Sequence, residues 1–179
     1  LGHLIGNGAV SIGTHRKHKR IPVAKGQSLP AWDPRPLKVA GVTYCTSAMG
    51  ADHTAGIKID PDISGEDAVY ASQQAQIANA ACDGSGFCQF LSPSLEEMSG
   101  CYALFYGEEV TAEQITDLGW ECLEDEWEFN RRAGFTDEDD DIAACLREEG
   151  IGPDNSLKFD IEKELTARVK TRMPQRTTS

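Results

Sequence analysis

The stretch Thr111-Ala112-Glu113-Gln114-Ile115-Thr116-Asp117-Leu118-Gly119-Trp120-Glu121-Cys122-Leu123-Glu124-Asp125-Glu126-Trp127-Glu128-Phe129-Asn130-Arg131-Arg132-Ala133-Gly134 reads as one long helix with both ends marked. Thr111 and Gln114 form a capping box, in which each side chain satisfies a backbone N–H group left open at the helix start. Gly134 can adopt the left-handed conformation that stops a helix at about Arg132. The apolar positions Ile115, Leu118, Cys122, Trp127 and Phe129 give a face toward a core, with loose periodicity.

The same signals recur on both sides. Ser94-Leu95-Glu96-Glu97 is a second capping box, for a helix to about Tyr106 with Gly107 as its stop. Ser64-Gly65-Glu66-Asp67 opens a helix to about Ala81, with the Ser64 hydroxyl placed to cap it. Thr136-Asp137-Glu138-Asp139 starts another that ends at Gly150, and Asp160 to about Met173 gives a last one with Ile161, Leu165 and Val169 four apart. Acids in these first turns suit the helix dipole. Upstream the pattern changes. Leu1 to Gly13 reads as a helix end or a glycine-broken turn. From Thr14 to Pro61 the chain is rich in Gly, Pro and Asp, and prolines 22, 30, 34, 36 and 61 forbid long helices. Only Ile21-Pro22-Val23-Ala24 and Val42-Thr43-Tyr44-Cys45 look strand-like there. The class is therefore mainly α, an irregular helical domain with a loop-rich N-terminal third. We read residues 1–179 as one domain, with 14–61 facing a cofactor or partner and 62–173 as the helical core. On this reading the helical part folds alone and 14–61 is poorly packed without its partner surface.

Composition narrows the function. Hydrophobic residues are 40% of the 179 residues, enough for a globular core. No apolar run approaches a bilayer-spanning length and no secretory signal is present, so no membrane partner is expected. A net charge of -12 argues against a nucleic-acid surface. Arg16-Lys17-His18-Lys19-Arg20 is basic, either an exposed loop or a contact for phosphate or an acidic partner. Asp137-Glu138-Asp139-Asp140-Asp141 reads as a solvated helix start. Six cysteines stand at 45, 82, 88, 101, 122 and 145, most among apolar residues and none in a Cys-x-x-Cys spacing. They read as reduced thiols in an intracellular, cytoplasmic protein rather than as disulfides or a zinc site.

Two segments could carry chemistry. Asp83-Gly84-Ser85-Gly86-Phe87-Cys88 follows the helix that starts at Ser64. Its glycines allow close backbone approach to a ligand. Its carboxylate can accept from heterocycle N–H groups, and its thiol can bind soft metal. On its own the signal is weak, and a glycine-rich turn with a structural cysteine is the commoner explanation. Gly50-Ala51-Asp52-His53 sets a carboxylate beside an imidazole, and His53 could transfer protons near neutral pH. The plainer reading is that the pair caps a loop.

The order of these elements is more specific than any one of them. Lys25-Gly26 precedes Leu29-Pro30-Ala31-Trp32-Asp33-Pro34-Arg35. Tyr44-Cys45-Thr46-Ser47, Gly50-Ala51-Asp52-His53 and Asp83 to Cys88 follow, then Glu128-Phe129-Asn130-Arg131-Arg132-Ala133-Gly134-Phe135-Thr136 and Asp140-Asp141. From about Leu4 to about Asp141 this series resembles the C-terminal part of the aldehyde:ferredoxin oxidoreductase family. The resemblance implies an oxidoreductase that converts aldehydes to carboxylic acids at tungsten, or molybdenum, held by two pterins. Electrons then leave through a [4Fe-4S] cluster to a ferredoxin-like acceptor. It further implies that Asp83 contacts a pterin by its carboxylate and Phe87 by its backbone. Cys88 would be a cluster ligand, and His53 would sit near the metal, orienting substrate or handling a proton. Phe87 stands where the family usually has leucine. The family's N-terminal β-rich part, its three clustered cysteines, its other pterin-binding aspartate motif and its catalytic glutamate have no match here. The expectation is thus a piece of an enzyme, without cofactor or activity alone, completed by N-terminal domains or a subunit of that enzyme. The alternative is a non-catalytic helical interaction module, or an isolated fragment without cofactor.

Overall fold

The computed structural model describes residues 1–56 and 58–176. Two short helices, α1 (Gly2–Gly6) and α2 (Gly8–Arg16), are followed by a hairpin of β1 (Val23–Ala24) and β2 (Gln27–Ser28). Val23 pairs with Ser28 and Ala24 with Gln27 in antiparallel register. Lys25 (φ 48°) and Gly26 (φ 76°) make the turn, both in the left-handed region. Then come α3 (Lys38–Thr46), α4 (Gly65–Gly84), α5 (Leu95–Tyr106), α6 (Ala112–Ala133), α7 (Ala144–Glu148) and α8 (Lys163–Ala167). The class is mainly α.

The capping boxes of α5 and α6 form as read, and Gly107 and Gly134 end these helices in left-handed conformations. Ser64 sits at the start of α4, but its hydroxyl makes no cap bond. The buried face of α6 is Ile115, Thr116, Gly119, Trp120 and Leu123. Of the sequence-read face, Ile115 is correct and Trp127 packs partly buried, whereas Phe129 is 72% exposed. Gly119 permits the α4–α6 approach, since a Cβ there would lie 2.2 Å from the Ile77 carbonyl oxygen.

The largest correction concerns Val42–Cys45. This run is no strand: it lies inside α3, all nine residues of which are buried. β-Branched and aromatic residues favour strands only weakly, and a helix that is apolar all round belongs in a core. Pro34 and Pro36 set the earliest point at which α3 can begin, and it starts at Lys38. Within the loop-rich stretch, α3 is therefore the best-buried element, and 14–61 is not poorly packed throughout. Val39, Val42, Tyr44 and Cys45 form one core with Val69, Leu146, Phe159, Ile161 and Val169. A second cluster joins Ala81, Cys82, Met98 and Ile115.

The open carbonyls at the end of α3 are capped from distant segments. Lys25 Nζ donates to Cys45 O (2.5 Å), Trp127 Nε1 to Thr46 O (2.9 Å), and Asn130 Nδ2 to Ala48 O just beyond the helix (2.8 Å). Thr136 to Gly150 is not one helix. A 3₁₀ turn at Asp137–Asp139 gives way to an extended link before α7. The reason is that Ala143 N–H donates to Val23 O (3.1 Å), which ties the chain to the hairpin. Asp140 turns inward, 2.6 Å from Lys25 Nζ and also paired with Lys170, so the acidic block is only partly solvated. Residues 160–173 likewise contain only α8 and a 3₁₀ turn at Arg168–Lys170. Ile161 and Val169 are nevertheless buried and Leu165 packs beside them.

Candidate functional site

Two loops at helix ends meet beside α6. The first leaves α3 through Ser47, whose Oγ donates to Gly50 O (2.6 Å). Gly50 has φ 82°, and a Cβ on it would strike Ala24 O at 2.4 Å, so glycine is required there on both counts. The loop then reaches Asp52, whose carboxylate accepts from Thr54 N (2.9 Å) and Thr54 Oγ1 (2.7 Å). His53 opens a 3₁₀ turn, His53–Ala55. Its ring is half exposed, and Nδ1 lies 3.9 Å from Asp52 Oδ1, beyond hydrogen-bond reach. The carboxylate therefore serves Thr54 and is not hydrogen-bonded to the imidazole.

The second loop ends α4. Gly86 N–H donates to Asp83 O (3.0 Å) and Phe87 N–H to Cys82 O (3.0 Å), closing the glycine turn with Gly86 at φ 74°. Phe87 packs on the cluster of Ala81, Cys82, Met98 and Ile115. Since its N–H is already used, the Phe87 backbone can offer a ligand only its carbonyl, whose one partner among the described residues is the weak Cys82 thiol donor at 3.6 Å. Cys88 follows as an exposed free thiol, ahead of a 3₁₀ turn at Gln89–Leu91. Among the described residues no group of three His, Cys, Asp or Glu side chains could hold a metal ion.

The structure brings Asp83 and the loop carrying His53 together. The Asp83 carboxylate accepts from Gln89 Nε2 (2.8 and 2.9 Å) and from Asn79 Nδ2 (3.3 Å). Both amides also donate to the carbonyl of Thr54. Behind them lies a cleft of about 190 Å³ lined by residues including Asp52, Gln76, Asn79, Asp83, Cys122 and Glu126. Burial pushes the Glu126 carboxyl up, and the charge of Asp83 adds to this. Gln76 donates to Thr46 Oγ1 (2.9 Å) and Ser72 Oγ (3.0 Å), while its buried Oε1 has no partner among the described residues. Sequence reasoning singled out His53, Asp83, Phe87 and Cys88 but missed Asn79, Gln89, Gln76 and Glu126. Asn79 was detectable, because it precedes Asp83 by one helical turn.

Asp33 and Arg35 of the other motifs are tied into the fold. Arg35 Nη2 binds the Asp33 carboxylate at 2.6 Å, and Nη1 reaches Glu149 O at 3.2 Å. Burial alone would raise the Asp33 pKa, but the Arg35 hydrogen bonds and charge outweigh it and hold the carboxyl below its ordinary value. The run 16–20 is exposed, with Arg20 paired to Glu149 at 2.7 Å. Cys101 is exposed on α5 rather than interior. No helix among the described residues is long and apolar enough to cross a membrane.

Comparison with known proteins agrees with the motif order. The family model described as "Aldehyde ferredoxin oxidoreductase, domains 2 & 3" matches residues 1–170. No curated protein matches the chain.

Proposed function

The chain belongs to the aldehyde ferredoxin oxidoreductase family, and from that premise we propose that it is the C-terminal part of a tungsten- or molybdenum-pterin oxidoreductase. The reaction would be oxidation of an aldehyde to a carboxylic acid, with a ferredoxin-like protein as electron acceptor. When bound, the metal-pterin centre supplies the two-electron redox step and a [4Fe-4S] cluster carries the electrons away. The residues present suit these groups. A carboxylate has about four lone-pair positions, and Asp83 keeps some of them open beyond its two amide donors, as a heterocycle N–H edge requires. Phe87 offers its carbonyl beside it. The exposed Cys88 thiol is a soft donor of the kind iron takes. His53, half exposed and not hydrogen-bonded to Asp52, can orient substrate or exchange a proton. The other three cluster ligands and the second pterin contact would come from N-terminal domains or a subunit of the same enzyme.

The observation that carries this reading is the turn at Asp83–Cys88, which presents an open carboxylate and an exposed thiol on one short segment. The test is Cys88→Ser in the complete enzyme, with Cys101→Ser as an exposed-thiol control. Iron content and dye reduction should fall in the first and hold in the second. Full iron and activity in Cys88→Ser would refute the cluster assignment. A helical interaction module without cofactor is the second reading, favoured by Phe90, Leu104 and Phe105, each more than 80% exposed. A complete enzyme that takes up no iron under reconstitution would select it.

A further inference from the structure

Asn79 and Gln89 stand in one arrangement with two acceptors. Each side-chain NH₂ has two protons, and each reaches both the Asp83 carboxylate and the Thr54 carbonyl. The count closes: four N–H donors meet the two lone pairs of Thr54 O and two or three of the carboxylate positions. The orientation of the amides is fixed by chemistry, since reversing either would set its oxygen against a carboxylate. Thr54 is held from its other side by Asp52, through its own N–H and hydroxyl. Downstream, Gly56 lies flat on α4, where a Cβ would meet Ala75 O at 2.5 Å. The 3₁₀ turn bearing His53 thus has two anchors, the glycine contact and the amide pair.

We propose that Asn79 and Gln89 are positioning residues: they clamp the loop of His53 to the carboxylate of Asp83, so that a ligand bound at Asp83 is felt at His53. This rests on the functional reading above for the meaning of the two ends, but the clamp itself does not require cofactor. It assigns the amides three jobs. They aim the free lone pairs of Asp83 outward, hold the backbone of the His53 turn beside that carboxylate, and join the loop to the turn that carries Cys88.

The experiment uses the full chain without cofactor and reads the His53 ring resonance and the Thr54 and Ala55 amides by NMR. Asp83→Ala should move all three signals. In an Asn79→Leu/Gln89→Met background the same substitution should move them by less than half as much, with helix content unchanged by circular dichroism. A merely structural role would alter the starting spectrum without removing this dependence on Asp83. Equal responses in the two backgrounds, or no response to Asp83→Ala at all, overturn the clamp. If the double variant loses helix, Gln89→Met alone, on an exposed turn, makes the same comparison. Loss of iron on Cys88→Ser bears only on the cofactor reading, so failure of either idea is recognisable without the other.

Discussion

Gly119 should be the position on α6 least able to accept a methyl group. In an unobstructed helix, Gly→Ala stabilises by up to about 1 kcal/mol because it restricts the unfolded chain. At Gly119 the new Cβ would lie 2.2 Å from Ile77 O, 3.0 Å from Ile77 C and 3.1 Å from Ala81 Cβ. The nearest obstacle is backbone inside α4, which cannot rotate aside, so the helices must separate by roughly 1 Å. Overpacking of this kind costs about 1–3 kcal/mol, and rigid backbone puts it at the upper end. Net of the helix gain, Gly119→Ala should destabilise by about 2 kcal/mol, or about 4–8 °C in Tm for a chain of this size. Gly100 on α5 is the control, since a Cβ there meets nothing within 4 Å, and Gly100→Ala should stabilise slightly. Thermal and urea unfolding followed by circular dichroism gives both values. If Gly119→Ala is as stable as Gly100→Ala, the α4–α6 contact is not as described, and the placement of Asp83 against Glu126 fails with it.

The thiols should separate by reactivity. At pH 8 Cys88 and Cys101, both exposed, should alkylate quickly, whereas Cys45, with its pKa pushed up to about 12 mainly by burial, should react only on unfolding; labelling of Cys45 as fast as Cys88 would contradict this. The same shift fixes a sign: a folded-state pKa raised above the ordinary 9.0 gives stability that is complete below pH 9 and lost as pH rises toward about 12. Asp140→Asn removes the anionic partner of the Lys25 ammonium, 4% exposed, leaving it only neutral oxygens, and should cost about 3–5 kcal/mol in urea unfolding; a cost below about 1 kcal/mol would show that the pair does not organise this region.

The sequence was most informative where the controlling interaction is local. Capping boxes at Ser94 and Thr111 are decided within four residues, and the stops at Gly107 and Gly134 need only a left-handed backbone. The turn from Asp83 to Cys88 was legible for the same reason. What failed depended on partners far along the chain. Val42-Thr43-Tyr44-Cys45 has the composition of a strand, and only its enclosure by Val69, Phe159 and Val169 makes a buried helix the better solution. Asp140 looks like any acid in a run of five until Lys25 and Lys170 close on it. At the site, the spacing of Asn79 and Asp83 was visible, but their shared partner, Thr54 O, belongs to another loop.

The end of α3 explains why the loop bearing His53 is well held although its sequence reads as irregular. A helix end leaves carbonyls that must find donors or face water. Here Cys45 O is taken by Lys25 from the hairpin, Thr46 O by Trp127 from α6, and Ala48 O by Asn130 from the same helix. Lys25 is in turn fixed by Asp140, so the hairpin, α6 and the acidic segment all converge on the residues that lead into Asp52 and His53. Lys25, Asn130 and Asp140, from three of the quoted motifs, thereby acquire a physical purpose in the fold. They set the exit direction of α3, and α4 with its two amides receives the loop at the other end. A loop held at both ends in this way keeps the backbone of the His53 turn beside the carboxylate of Asp83.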